Sequence, residues 1–362
     1  MGRTRKRWAS WIAAPWLAAR LPAAPLLAAP WLAAPWFAAP LLGALWIVSA
    51  GLAWGQSDPS LETLRQSIVS LSIDTAPNAR SAATLGTKRR ASGVVIDGDG
   101  LIVTVGYAIL EAATVEITLP GGVKVPGTAA GYDAETGFGL VRALKPIKAR
   151  PLTLGQSSAV KVRDPVMILG WEDGQDVNSG MVVSRRTFTG YWEYLLEAPL
   201  YTIPAVSNFA GAALVDQNFT LIGIGSLFIE EAVDRAINIP GNLFIPIDAL
   251  KPILPELARK GRATAPSRPW LGLNVTEQFG RVVVTRVTRD SPAHAGGLNA
   301  GDMIFEVAGK PVTSLEEFYR ALWGQGGAGV KVPMTVLQAR SIHNLSVTSG
   351  DRYQFYRAQP LY

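Results

Sequence analysis

Acyl transfer through serine needs a nucleophilic hydroxyl, a base that titrates near neutrality and a group that fixes the tautomer of that base. The chain has only two imidazoles, His294 and His343, and both lie beyond residue 266. The long stretch before them, rich in Val, Ile and Leu, therefore has no histidine to serve as base. Two isolated histidines make no metal site, and both read as surface residues. With no cysteine at all, disulfides, Fe–S clusters and thiolate zinc sites are excluded. No cofactor is expected. Ser207, in the segment SNFAGAALVD (207–216), has no base in sequence to pair with and reads as an exposed loop serine.

Three segments of that stretch carry a resemblance. ASGVVIDGDGLIVTVGYAIL (91–110) resembles the glycine–aspartate turn and T-N-A-H-V-V that hold the general base in the HtrA/Deg family. AGYDAETGFGLVR (130–142) resembles that family's G-Y-D-P-E-T-D-L-A-V-L, which supplies the orienting acid, and SNFAGAALVD resembles P-G-N-S-G-G-P-L-V-N, which supplies the nucleophile. The resemblance puts the base at Tyr107, the acid at Gly137 and the nucleophile at Ala210. A phenol, with an ordinary pKa of about 10, is a poor base at neutral pH. Ala210 has no lone pair to offer, and Gly137 has no side chain to orient anything. The expectation is a protease scaffold whose catalytic residues are none, with Tyr107, Gly137 and Ala210 as the degenerate triad positions.

Two readings of Tyr107 stay open. In one its ring plugs the space of the imidazole and hydrogen-bonds across the old cleft, with Gly106 and Gly137 making room. In the other it records drift after catalysis was lost. An oxyanion hole needs inward-facing amides, usually set by a glycine at positive φ two residues before the serine. Asn208 stands at that place and tolerates the left-handed region. Phe209, Ala212 and Ala213 are expected to alter or fill the cleft.

The second recognisable block is SPAHAGGLNAGDMIFEVAGKPV (291–312), which follows RPWLGL (268–273). It resembles the permuted PDZ domain that follows HtrA proteases. The resemblance makes Trp270, Leu271, Gly272 and Leu273 a loop whose amides capture a C-terminal carboxylate, while the peptide adds as a strand beside the next element. Phe318 and Leu322 share a helix face with Leu315 and would line the side-chain pocket. The bland alternative, that these residues are core, fits the same helical spacing.

Elements must place these positions. A helical turn at 61–67 and an alternating strand at 68–73 precede a polar, basic loop at 74–90. Short apolar runs bounded by Gly, Asp, Asn or Pro then recur to residue 224, as in an antiparallel all-β domain. FIPID (244–248) and a helix over 249–260, stopped by Gly261, close it. RATAPSR (262–268) is a hinge. The expected fold is mainly β: a trypsin-like double β-barrel (56–262) followed by a smaller α+β PDZ-like domain (263–350). An aromatic tail with Tyr353, Phe355, Tyr356 and Tyr362 completes the chain (351–362).

The net charge of +6 in 362 residues does not mark a nucleic-acid binder. Residues 1–55 hold five of those charges (Arg3, Arg5, Lys6, Arg7, Arg20) and no acid, and the rest shows no dense basic stripe. The same segment reads as a signal or leader. It has a basic start, AAPWL-type repeats, the apolar run LLGALWIVSAGLA (41–53) and small residues before Gln56. It is either cleaved or retained as a membrane anchor through residues 8–54, and export to a bacterial periplasm is expected in both cases. The expected function is that of a catalytically inactive HtrA-like pseudoprotease that binds protein C-termini or unfolded segments, or assembles with an envelope partner or itself. An active, divergent serine endopeptidase and a permanent structural subunit are the alternatives.

Overall fold

The computed structural model describes residues 59–171, 174–263 and 266–356. The leader with its repeats, and residues 357–362 of the tail, lie outside the described residues. Helix α1 (Pro59–Ser67) leads into a closed barrel of β1 (Ile68–Thr75), β2 (Lys88–Val95), β3 (Leu101–Val105), β4 (Ala112–Thr118), β5 (Lys124–Tyr132) and β6 (Phe138–Ala143). All neighbours are antiparallel, in the order β1-β2-β3-β6-β5-β4. Two single turns interrupt it: α2 (Ala82–Leu85) and α3 (Gly106–Ile109), the second carrying Tyr107.

The second barrel holds β7 (Pro165–Trp171), β8 (Gln175–Ser184), β11 (Leu200–Ile203), β12 (Ala213–Val215), β13 (Leu221–Ile229) and β14 (Gly241–Pro246), closed in the order β11-β14-β13-β12-β7-β8. Between β8 and β11 a separate hairpin projects, formed by β9 (Phe188–Gly190) and β10 (Tyr194–Leu196). Both barrels contribute to one apolar cluster, with Leu71, Val103 and Phe138 from the first and Leu169, Ile224 and Ile245 from the second. The predicted helix over 249–260 is shorter, α4 (Leu254–Lys260), because Pro252 and Pro255 confine regular helix to the part where their missing N–H groups do no harm. Gly261 ends it at φ 77°, donating to the Leu257 carbonyl at 3.0 Å.

The third unit is a sheet of β15 (Leu273–Gln278), β16 (Arg281–Val287), β17 (Met303–Val307), β19 (Lys331–Gln338) and β20 (Ser341–Thr348), with a short β18 (Lys310–Pro311) on β17. Helices α5 (Pro292–Ala295) and α6 (Leu315–Trp323) cover it. Ser291 and Ser314 cap them, each accepting from an amide three residues on. Among the described residues no helix is long and apolar enough to cross a membrane. Helix α7 (Arg352–Phe355), the described part of the tail, packs back onto the chain: Trp270 meets Phe355 at 4.6 Å between centroids, and the Tyr353 hydroxyl donates to Asp133 at 2.9 Å. The tail thereby ties the PDZ-like sheet to the first barrel.

Candidate functional site: a filled cleft and an occupied groove

Helix α3 is set by Arg89, whose guanidinium donates to the carbonyls of Tyr107 (3.1 Å) and Leu110 (2.7 Å) and to Ser81 Oγ (2.8 Å). This buried cation satisfies carbonyls that a single helical turn leaves free. Burial lowers the Arg89 pKa, and the nearby Glu111 carboxylate opposes that shift. So held, Tyr107 sends its hydroxyl across to the second barrel and donates to the Ser226 carbonyl on β13 at 2.9 Å. Burial pushes the phenol well above its ordinary range, so at neutral pH it is a hydrogen-bond donor and not a proton acceptor.

The room made by the two glycines serves other rings than the one expected. A Cβ on Gly106 would lie 2.5 Å from the Tyr132 ring, and one on Gly137 would lie 2.4 Å from the Tyr194 hydroxyl. Tyr194, on β10, donates to the Thr136 carbonyl at 2.6 Å and occupies the space a side chain at 137 would need. Gly106 N–H donates to the Gly137 carbonyl at 2.7 Å, so the positions that the resemblance assigns to base and acid are neighbours. Both line a cavity of about 580 Å³ that reaches from Ser226 to the PDZ-like strand β15.

Ala210 lies on the turn before β12, with its carbonyl accepting from Ser92 N–H at 2.8 Å. Here the expectation for Asn208 needs correction. Its φ is not positive; Gly211 holds the left-handed place, at 72°. Asn208 is buried, with its Nδ2 donating to Asp176 at 2.8 Å, so it anchors the turn to β8 and does not aim an amide. Gly211 is required by close approach as well, since a Cβ there would lie 2.0 Å from the Ser92 carbonyl oxygen. Ala212 and Ala213 are fully buried and Phe209 packs on the second barrel's core.

In the third unit the loop Trp270–Leu273 does gather its amides on a carboxylate. Leu271 N–H donates to Glu193 Oε2 at 3.0 Å, and Gly272 and Leu273 donate to Oε1 at 2.7 and 2.8 Å. The carboxylate belongs to the chain's own β9–β10 hairpin, and nothing in the sequence spacing pointed to Glu193. Gly272 sits at φ 84°, and a Cβ there would strike the Ser291 Cβ at 2.3 Å. Phe318 and Leu322 are fully buried in the sheet–helix core, with Leu315 nearly so. Trp270 is buried under the tail aromatics.

Two closed six-stranded antiparallel barrels joined to a PDZ-type sheet define the class: a trypsin-like double barrel with a C-terminal PDZ-type domain. Residues 91–224 match the trypsin-like peptidase domain family and residues 269–348 the PDZ domain family. The chain is 26% identical over 260 residues to the periplasmic serine endoprotease DegP of Escherichia coli K12, an alignment covering 68% of this chain and 54% of that one. It is 28% identical over 256 residues to the serine protease PepD of Mycobacterium tuberculosis, covering 64% and 54%. The chain thus spans about half the length of these curated relatives. The HtrA-type protease AlgW, solved with a decapeptide, has the same fold at a TM-score of 0.50 and 20% identity, over 81% of this chain and 98% of that one. A form of it with a tripeptide gives 0.52 and 22%, over 81% and 96%. The chain thus carries a match to the trypsin-like peptidase domain family followed by a match to the PDZ domain family, and is similar to HtrA-type proteases that have both.

Proposed function

We propose that this chain is an exported, catalytically inert member of the family that works by binding protein C-termini or unfolded segments, alone or with an envelope partner. The observation that carries the proposal is the state of the cleft. A neutral phenol from Tyr107 holds the Ser226 carbonyl where the resemblance puts a base, Tyr194 fills the space of the acid, and Ala210 stands at the nucleophile position. The active alternative requires a base that residues 56–262 do not contain as histidine. Periplasmic location is supported by relatives so named and by the leader-like first 55 residues. Peptide binding is supported by the carboxylate-holding loop of the PDZ domain and by structural neighbours solved with peptides. The structural-subunit reading has one observation in its favour, the occupied groove. Incubating the full chain with reduced, unfolded casein tests the proposal. No fragments are expected over a period in which an active family protease digests the substrate fully. Fragments whose formation a serine-directed inhibitor blocks would overturn it.

A further inference from the structure

The hairpin that projects from the second barrel has a loop of three residues, Tyr191, Trp192 and Glu193, between its paired ends Gly190 and Tyr194. Hairpins of this size usually place the last loop residue in the left-handed region and favour glycine there. This one places Glu193 there, at φ 56°. A residue with a Cβ in that conformation is strained, because the Cβ crowds the following carbonyl oxygen. Strain of this kind persists where the surroundings over-determine it, and here the surroundings are three converging amides.

The tip of the hairpin docks against the edge of β15. Tyr191 accepts through its carbonyl from Val275 N–H at 2.8 Å, and the Glu193 carboxylate meets the Leu271–Leu273 amides, so the turn at 191–193 lies along β15 and the loop before it. Helix α6 closes the other side: the Tyr319 hydroxyl donates to the Gly190 carbonyl at 2.6 Å and accepts from Glu193 N–H at 3.2 Å. Leu195 packs into the PDZ core itself. A backbone bond to the strand, a carboxylate in the amide loop and an apolar side chain in the core are the three contacts by which an extended peptide end is captured. Glu193 is 4% exposed, so its charge has left water for these contacts.

We propose that Glu193 is a built-in ligand of the PDZ domain, and that an incoming polypeptide enters the groove only when its free C-terminal carboxylate displaces that of Glu193 from the amides of Leu271, Gly272 and Leu273. This rests on the peptide-binding reading above and adds its regulation. The partner it selects has a free C-terminal carboxylate and apolar last residues, because the site vacated by the hairpin is an amide loop beside an apolar core.

Binding of a fluorescent peptide with a free, apolar C-terminus, and of its C-terminal amide, is measured on the full chain and on Glu193→Ala. A latched groove weakens the apparent affinity by the fraction of open molecules, and with three charge-assisted bonds at stake the variant should bind the acid peptide about tenfold tighter or more than the wild type. The amide peptide should gain far less. Equal binding of the acid peptide by wild type and variant overturns the built-in ligand while leaving peptide capture standing. If neither protein binds the peptide, capture fails, and hydrogen exchange decides the latch separately. Faster exchange of the Leu271–Leu273 amides in the variant alone supports it, and identical exchange overturns it. Should Glu193→Ala not fold, exchange in the wild type on adding acid peptide serves instead. Residues 190–195 should lose protection while 271–273 keep theirs, and an unchanged hairpin with peptide bound refutes displacement.

Discussion

A side chain returned to position 137 measures how completely the cleft has been filled. Gly137→Ala puts a Cβ 2.4 Å from the Tyr194 hydroxyl and 3.2 Å from its Cζ. It also forces an L-residue to φ 86°. The backbone term is about 1–2 kcal/mol, and overpacking against a fixed, buried ring adds about 1–3 kcal/mol. The single variant should therefore lose about 2–5 kcal/mol, the sum of those two ranges. Tyr194→Phe removes the oxygen at the point of collision and leaves the ring's Cζ at 3.2 Å and Ile245 Cδ1 at 3.3 Å, which must yield by only a few tenths of an ångström, though it frees the Thr136 carbonyl at a cost of about 1–3 kcal/mol. In the double variant most of the overpacking term should be relieved, so the two changes should couple favourably by about 1–2 kcal/mol. Urea denaturation of all four proteins, followed by tryptophan fluorescence with midpoints and slopes compared, gives the cycle. A loss below about 0.5 kcal/mol in Gly137→Ala, or strict additivity with Tyr194→Phe, would refute the claim that the hairpin ring occupies the acid's space.

Two further outcomes follow from the same contacts. Gly272→Val should distort the carboxylate loop, because its Cβ would strike Ser291 and its φ of 84° is unsuited to a β-branched residue. Faster hydrogen exchange at 271–273 together with loss of at least 2 kcal/mol by urea denaturation is expected, roughly the scale of other overpacked sites. Protein stability should fall steeply at alkaline pH. Burial raises the pKa of Tyr107, Tyr132, Tyr194, Tyr319 and Tyr353, so the folded chain keeps protons that the unfolded chain releases above about pH 10. Their contribution is whole below that pH and is lost above it. Ultraviolet titration should show these phenols ionising together with unfolding, and smooth ionisation in the native state would contradict the burial.

The barrels and the PDZ unit were legible because turn residues punctuate their apolar runs, and the positions Tyr107, Gly137 and Ala210 could be singled out because their flanks resemble a known pattern. What escaped has physical causes. Strand β5, KVPGTAAGY, has few large apolar residues, since its glycines and alanines pass close under neighbouring side chains: a Cβ on Gly127 would lie 2.7 Å from Ile117. Strand β20 is an exposed edge with one fully buried residue, Val347, so no alternation announced it. The Lys88–Arg90 run reads as a polar loop, yet it opens β2 because Arg89 is spent inward on the α3 carbonyls. Residues 188–203 carry only the short apolar run 195–198 to suggest a strand, whereas three short strands and a left-handed Glu193 occupy them. The contact that decides the groove joins residues 78–80 positions apart, which no local pattern encodes. Phe318 and Leu322 fitted both pocket and core in sequence, and their complete burial places them in the core.

Catalytic inertness is tested most directly by reaction with a fluorophosphonate probe that modifies only activated serines. The purified full chain should take up no label at any pH from 6 to 9, and peptide mapping should find every serine unmodified, including Ser207 and Ser226. The variant carrying Tyr107→His, Gly137→Asp and Ala210→Ser should stay unlabelled as well while Tyr194 keeps the acid's place. Stoichiometric labelling of one serine between residues 59 and 262 in the unaltered chain, abolished by heat denaturation, would contradict the account.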